Sequence, residues 1–130
     1  MKTVLIAEDN PVNRELLREL LEMRGYAVVE ASDGEQALTQ IAENIPDILL
    51  LDLNMPVLDG FGTLKRIRED PRLASLPILA VTAYAMRGDR EKILSSGFDG
   101  YLSKPITSVD LERELKRLLA EFQARIPKQH

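Results

Sequence analysis

The sequence contains no cysteine, which excludes disulfides, zinc–thiolate centres and thiol catalysis together. That absence suits a reducing compartment. Long hydrophobic runs are also missing. The longest apolar stretches are four residues, with Ile48 to Leu51 the extreme, whereas a membrane helix needs about 20. The first run, Val4 to Ala7, is cut short by Glu8 and Asp9, so no secretory hydrophobic region forms. Positive charge is not in excess. The net charge is -4, which argues against a nucleic-acid backbone as a direct partner. There is no internal repeat, no low-complexity linker and no glycine-rich phosphate cradle. What remains is 130 residues, 45% hydrophobic and 29% charged. That is one globular domain, long enough to bury about two-thirds of its unfolded surface without a disulfide or metal staple. The expectation is a cytoplasmic single domain over residues 1–124 with a polar tail at 125–130.

The chain alternates between two periods. Val4-Leu5-Ile6-Ala7 reads as a strand. Asn10 then offers a helix cap with Pro11 in the first helical position. Leu16, Leu17, Leu20 and Leu21 share one helical face that ends at Gly25. Tyr26 to Glu30 predicts a brief strand. Asp33 caps a second helix, with Gln36 at the capping-box position and Ala37, Leu38, Ile41 and Ala42 inside. Ile48 to Leu51 is a third strand, and Leu58, Phe61, Leu64 and Ile67 carry a third helix closed by Pro71. Ile78 to Val81, then Met86 to Ser96, then Tyr101-Leu102 continue the pattern. Thr107 opens a last helix with the stripe Leu111, Leu115, Leu118, Leu119 and Phe122. Strands alternating with helices predict βαβ units and a doubly wound α/β fold with a parallel sheet covered on both faces. The unbroken apolar strands agree, because a strand buried on both faces shows no alternation.

In such a sheet ligands bind beyond the carboxyl ends of the strands. The residues placed there are Glu8 and Asp9 after the first strand, Asp52 and Asn54 at the third, Thr82 at the fourth and Lys104 after the fifth. Each has a bland reading: the acids as caps or turn formers, Thr82 as a satisfied loop hydroxyl, Lys104 as a solvated lysine. Their joint placement is harder to explain that way. Two carboxylates about 5 Å apart repel by roughly 3 kcal/mol at an effective dielectric near 20, so three crowd unfavourably without a cation. Oxygen donors of this kind suit Mg²⁺, or Mn²⁺. Asp52 beside such a metal, with an ammonium opposite, is equipped to accept a phosphoryl group, and Thr82 to donate a hydrogen bond to it.

At this point the chain resembles the receiver domain of two-component response regulators, over about residues 3 to 122. The resemblance is carried by Val4-Leu5-Ile6-Ala7-Glu8-Asp9-Asn10, by Leu51-Asp52-Leu53-Asn54-Met55-Pro56-Val57-Leu58-Asp59-Gly60, by Val81-Thr82-Ala83-Tyr84 and by Gly100-Tyr101-Leu102-Ser103-Lys104-Pro105. It implies a single (βα)5 fold with flavodoxin-like strand order 2-1-3-4-5. It also implies that Asp52 is the phosphoacceptor and that Glu8, Asp9, Asp52 and the Asn54 carbonyl hold the metal. Lys104 then pairs with the phosphoryl group ahead of a cis proline, and Thr82 and Tyr101 form the switch. Asn54 and Tyr84 resemble positions that tune hydrolysis of the aspartyl phosphate. Gly60 resembles a loop glycine, for which a turn with positive φ is an equally good account.

The partners implied are a sensor histidine kinase or histidine phosphotransfer domain, docked on the first helix near Val12, Asn13 and Leu16. A downstream protein is implied on the face of the fourth helix, fifth strand and fifth helix, where Arg87, Arg90 and Lys92 form either a basic edge or a plain solvated surface. Met1 just ahead of the first strand favours a natural start, and the chain reads as a stand-alone receiver or one excised from a hybrid kinase. The alternatives are a Mg²⁺-dependent haloacid-dehalogenase-like phosphatase and a docking module that is never phosphorylated. The phosphatase wants a second aspartate where Asn54 stands, and an amide cannot exchange protons near neutral pH. The expectation is therefore a signalling domain, not an enzyme acting on external substrates.

Overall fold

The computed structural model describes residues 1–83 and 87–125. The parallel strands are β1 (Thr3–Ala7), β2 (Ala27–Ala31), β3 (Ile48–Asp52), β4 (Ile78–Thr82) and β5 (Gly100–Ser103), and the helices α1 (Pro11–Met23), α2 (Gly34–Glu43), α3 (Gly60–Arg68), α4 (Arg87–Ser95) and α5 (Ser108–Arg125). They form one sheet in the order β2-β1-β3-β4-β5, the doubly wound architecture expected from the sequence. The described stretch of α5 runs to Arg125. Tyr84 and Met86, the side chains of Arg87 and Phe122, and residues 126–130 lie outside the described residues. Among the described residues no helix is long and apolar enough to cross a membrane.

Alternate residues of each central strand feed two cores. Val4, Ile6, Ile48, Leu50, Leu79 and Val81 meet Leu17 and Leu21 of α1 and Leu111, Leu115 and Leu118 of α5. Leu5, Ala7, Leu49, Leu51, Ile78 and Ala80 meet Ala37 and Ile41 of α2, Leu64 and Ile67 of α3 and Ile93 of α4. The chain travels one way across the sheet from β1 to β2 and the other way from β2 onward. Crossovers of one hand therefore place α1 on one face and α2, α3 and α4 on the other. The direction reverses between β1 and β3, which opens the crevice at their carboxyl ends.

The caps fall where the residue types put them. Asn10 accepts the N–H groups of Val12 and Asn13 with Pro11 behind it, Asp33 accepts from Gln36, and Thr107 Oγ1 accepts from Asp110. Several expected boundaries move by a residue or more, two of them for reasons visible in the hydrogen bonds. Tyr26 is not in β2, because its N–H donates to Leu21 C=O while that of Gly25, at φ +87°, donates to Glu22 C=O; together they close α1 as a Schellman motif. Leu58 is not on α3, because Asp59 caps that helix by accepting from Gly62.

One expected reason changes. Gly60 does not have positive φ. A Cβ there would stand 2.7 Å from the Asp52 carbonyl oxygen and 2.7 Å from Leu53 Cα, so glycine is required by the close approach of α3 to the end of β3.

Candidate functional site

Every site residue expected from the sequence, apart from Tyr84 and the side chain of Arg87, is described, and most converge at the crevice. Asp52 is the last residue of β3 and is buried. Its Oδ1 accepts the Asn54 N–H at 3.0 Å, an Asx turn that fixes the carboxylate's direction. Its Oδ2 lies 3.2 Å from Lys104 Nζ. Lys104 is held by its own main chain, whose N–H donates to the Thr82 carbonyl at 2.8 Å, and the bond to Pro105 is cis. The same ammonium stands 3.0 Å from Glu8 Oε1. With its side chain only 25% exposed, Lys104 is a bridge between two buried carboxylates rather than a solvated surface lysine.

Glu8 directly follows β1 and is 1% exposed. Carboxylate oxygens of Glu8, Asp9 and Asp52 all lie within 4.8 Å of one another. Glu8 Oε2 is buried with no hydrogen-bond partner among the described residues, a costly condition unless a proton or a cation satisfies it. Burial, then the neighbouring Asp52 carboxyl, pushes the Glu8 pKa up to about 7 against the pull of Lys104. Burial pulls the Lys104 ammonium down, but Glu8 and Asp52 together outweigh it and hold it above the ordinary lysine range. The set is two buried carboxylates, an exposed one at Asp9 and an orphaned oxygen. Hard oxygen donors with open positions fit Mg²⁺, which keeps several waters and prefers few protein ligands.

Thr82 ends β4 and is buried. It shares a sheet face with Ile78 and Ala80, by the alternation along the strand, and Ala80 pairs in register with Tyr101. Tyr101 is half-buried against the core beneath α2, α3 and α4. The Arg90 guanidinium lies 5.8 Å from its ring centroid, and Lys92 Nζ lies 5.3 Å from the centroid of Phe61. These α4 cations are therefore seated on aromatic faces rather than forming only a solvated edge.

Sequence reasoning passed over Arg14, whose Nη1 donates to the Glu8 carbonyl at 2.9 Å. The available signal was an arginine one turn beyond the Asn10 cap, within reach of the end of β1.

Residues 4–116 match the family of the response regulator receiver domain. The chain belongs to that family. The receiver is a component of two-component signalling, and this removes the phosphatase reading. The polar-differentiation response regulator DivK of Brucella anthropi is 38% identical over 120 residues, covering 92% of this chain and 98% of DivK. The receiver domain of a sensor histidine kinase from Pseudomonas aeruginosa superposes with a TM-score of 0.85 at 38% identity, over 92% of this chain and 98% of that one, and holds a magnesium ion in its active-site cleft. The receiver domain of a histidine kinase from Syntrophus aciditrophicus gives a TM-score of 0.87 at 28% identity, covering 100% of this chain and 98% of the other.

Proposed function

We propose that this receiver is a Mg²⁺-dependent phosphoacceptor switch in which Asp52 takes the phosphoryl group of a phosphohistidine. The observation that carries the reading is the placement of Asp52. Its buried carboxylate is oriented by the Asn54 N–H, faced by the Lys104 ammonium and flanked by Glu8 and Asp9. Glu8, Asp9, Asp52 and the Asn54 carbonyl would hold the metal, which when bound neutralises charge on the phosphoryl oxygens. An Asp52 oxygen attacks phosphorus in line with the breaking phosphorus–nitrogen bond. The electron pair of that bond returns to the donor imidazole, and an acyl phosphate forms. Lys104 offsets the charge that arrives, about -1 net, because the carboxylate's own charge is replaced by an acyl phosphate of about -2.

The donor is a sensor histidine kinase or histidine phosphotransfer domain. A groove of about 390 Å³ runs beside Lys104, lined by Leu16, Leu17, Leu20, Pro105 and Ile106. Val12 and Leu16 stand exposed at 73% and 50% on the same helix. Thr82 and Tyr101 relay the change to a protein partner on the face of α4, β5 and α5, with Arg90 over the Tyr101 ring as the moving contact. The protein works in the cytoplasm, where such donors present their phosphohistidines.

The test is intact-mass spectrometry after incubation with acetyl phosphate and Mg²⁺, with Asp52→Asn alongside. One phosphate adduct on the wild type alone supports the reading. No adduct, together with no beryllofluoride binding, leaves a docking module that is never phosphorylated.

A further inference from the structure

The last rungs of β1 are Ala7 with Ala31 on one side and with Leu51 on the other. One residue further on, the Glu8 N–H still donates to the Ala31 carbonyl at 3.0 Å. The Glu8 carbonyl has passed the end of the sheet, and a buried carbonyl without a partner is costly. Arg14 supplies the partner from α1 through Nη1, at 2.9 Å. Its Nε meanwhile lies 3.3 Å from Glu30 Oε1, with the two side chains 22% and 31% exposed. The other oxygen of Glu30 accepts from Arg18 Nη1 at 2.8 Å. Glu30 sits on β2, an edge strand. Two hydrogen bonds and, between them, the Arg14–Glu30 ion pair therefore connect the edge of the sheet to the peptide between Glu8 and Asp9.

We propose that Arg14, braced by Glu30, is a positioning residue that locks the Glu8–Asp9 peptide and so fixes the direction in which both carboxylates face a divalent cation. The inference rests on the phosphoacceptor reading of the site. The planar guanidinium suits the task, because its Nη1 donates to the Glu8 carbonyl while its delocalised charge, at Nε, keeps an ion pair with Glu30. A lysine at this position is shorter and lacks the guanidinium's fixed spread of nitrogens, so it cannot reach the Glu8 carbonyl and Glu30 from the same backbone position. Support groups of this kind around metal ligands are worth about 10–100-fold in affinity.

The sign of the effect separates the possibilities. If Arg14 acted only as a charge, it would repel the cation, and removing it would tighten binding. If it served stability alone, the melting temperature would fall while affinity stayed put. If it positions the acids, affinity falls even though a repelling charge has gone.

The experiment is calorimetric titration of Mg²⁺ into the full chain for wild type, Arg14→Met, Arg14→Lys, Glu30→Gln and Asp52→Asn, with a thermal melt of each. The expected result is a loss of roughly 10-fold in Mg²⁺ affinity for both Arg14 variants and a smaller loss for Glu30→Gln. Arg14→Lys keeps the charge and serves as the folded comparison if Arg14→Met does not fold. Unchanged or tighter Mg²⁺ binding by folded Arg14→Lys overturns the proposal. A wild type that takes up no Mg²⁺, or takes it up no better than Asp52→Asn, overturns the phosphoacceptor reading on which it rests.

Discussion

Lys104 and Asp52 are 52 residues apart in sequence, and their charged atoms are 3.2 Å apart in space. One ammonium is thus shared between Asp52 and Glu8, with Asp9 close by, and the metal-free cluster keeps an excess of negative charge. Replacing Asp52 by Asn removes an ion pair of about 5 kcal/mol at an effective dielectric near 20, and two repulsions of about 3.5 kcal/mol each. Repulsion wins narrowly, and Asp9 is exposed, so its share is discounted for screening. At a pH well above 7, where Glu8 is ionised, Asp52→Asn should therefore raise metal-free stability by about 1 kcal/mol in urea denaturation with chelator. Added Mg²⁺ should then stabilise the wild type more than the variant, because the ligand binds the folded state. Identical responses of both proteins to Mg²⁺ would count against a metal at this cluster.

Glu8 gives the metal-free protein a pH dependence of unusual sign. Its carboxyl is raised from an ordinary 4.5 to about 7, so the folded state holds its proton more tightly than the unfolded state. The contribution to stability is complete below about pH 4.5 and is lost as pH rises through about 7, up to about 3 kcal/mol in all. Glu8→Gln lacks this titration. The difference in unfolding free energy between wild type and Glu8→Gln, measured in chelator from pH 4.5 to 8, should fall steadily across that window. Saturating Mg²⁺ should reverse the trend, since the cation competes with the proton for the same oxygens. A flat difference would show that Glu8 ionises normally.

Much of this was legible in the sequence, for identifiable reasons. Runs such as Ile48 to Leu51, of strand length and bounded by Pro46 and Pro56, suit strands buried on both faces, and Asn10, Asp33 and Thr107 announce their helices by offering side-chain oxygens to free N–H groups. Glu8, Asp52, Thr82 and Lys104 were found because strand ends on one side of a parallel sheet converge. Contacts set by reach or close approach were not legible. The grip of Arg14 on the Glu8 carbonyl depends on the length of a side chain folding back from α1. The seat of Arg90 on Tyr101 depends on how α4 packs. The role of Gly60 depends on a distance between backbones that no local pattern encodes.

Gly60 leads to a prediction that links packing to the site. Any Cβ at this position meets backbone atoms of Asp52 and Leu53, with the Leu53 side chain a further 3.0 Å contact, and backbone yields less readily than a flexible side chain. Gly60→Ala must push α3 away from the end of β3, at a cost of about 1–3 kcal/mol for overpacking. Asp52 carries the displaced backbone, so the variant should also accept phosphate from acetyl phosphate more slowly than wild type at equal folded fraction. Gly25→Ala provides the contrast. Nothing stands within 4 Å of its Cβ position, and it should lose stability through its positive φ while phosphorylating normally. Equal phosphorylation rates in folded Gly60→Ala and wild type would separate the α3 contact from the site.

Val57 holds a φ of +69°, a region that β-branched residues rarely adopt. The Leu58 N–H donates to the Pro56 carbonyl at 2.7 Å, so Val57 is the centre of a γ-turn of the strained, positive-φ kind. Strain of this type costs on the order of 1–2 kcal/mol for an L-residue with a bulky side chain. The side chain is 79% exposed, so little burial offsets that cost. Val57→Asn should therefore stabilise the protein by about 1 kcal/mol, since asparagine tolerates positive φ. Val57→Gly should gain less, because its freer unfolded chain offsets part of the relief. Both are read as urea midpoints. The loop leads from Asp52 into α3, but no ligand atom at the site belongs to Val57, so Mg²⁺ affinity should stay at the wild-type value. A destabilised Val57→Asn would mean that the exposed valine makes a contact worth more than its strain.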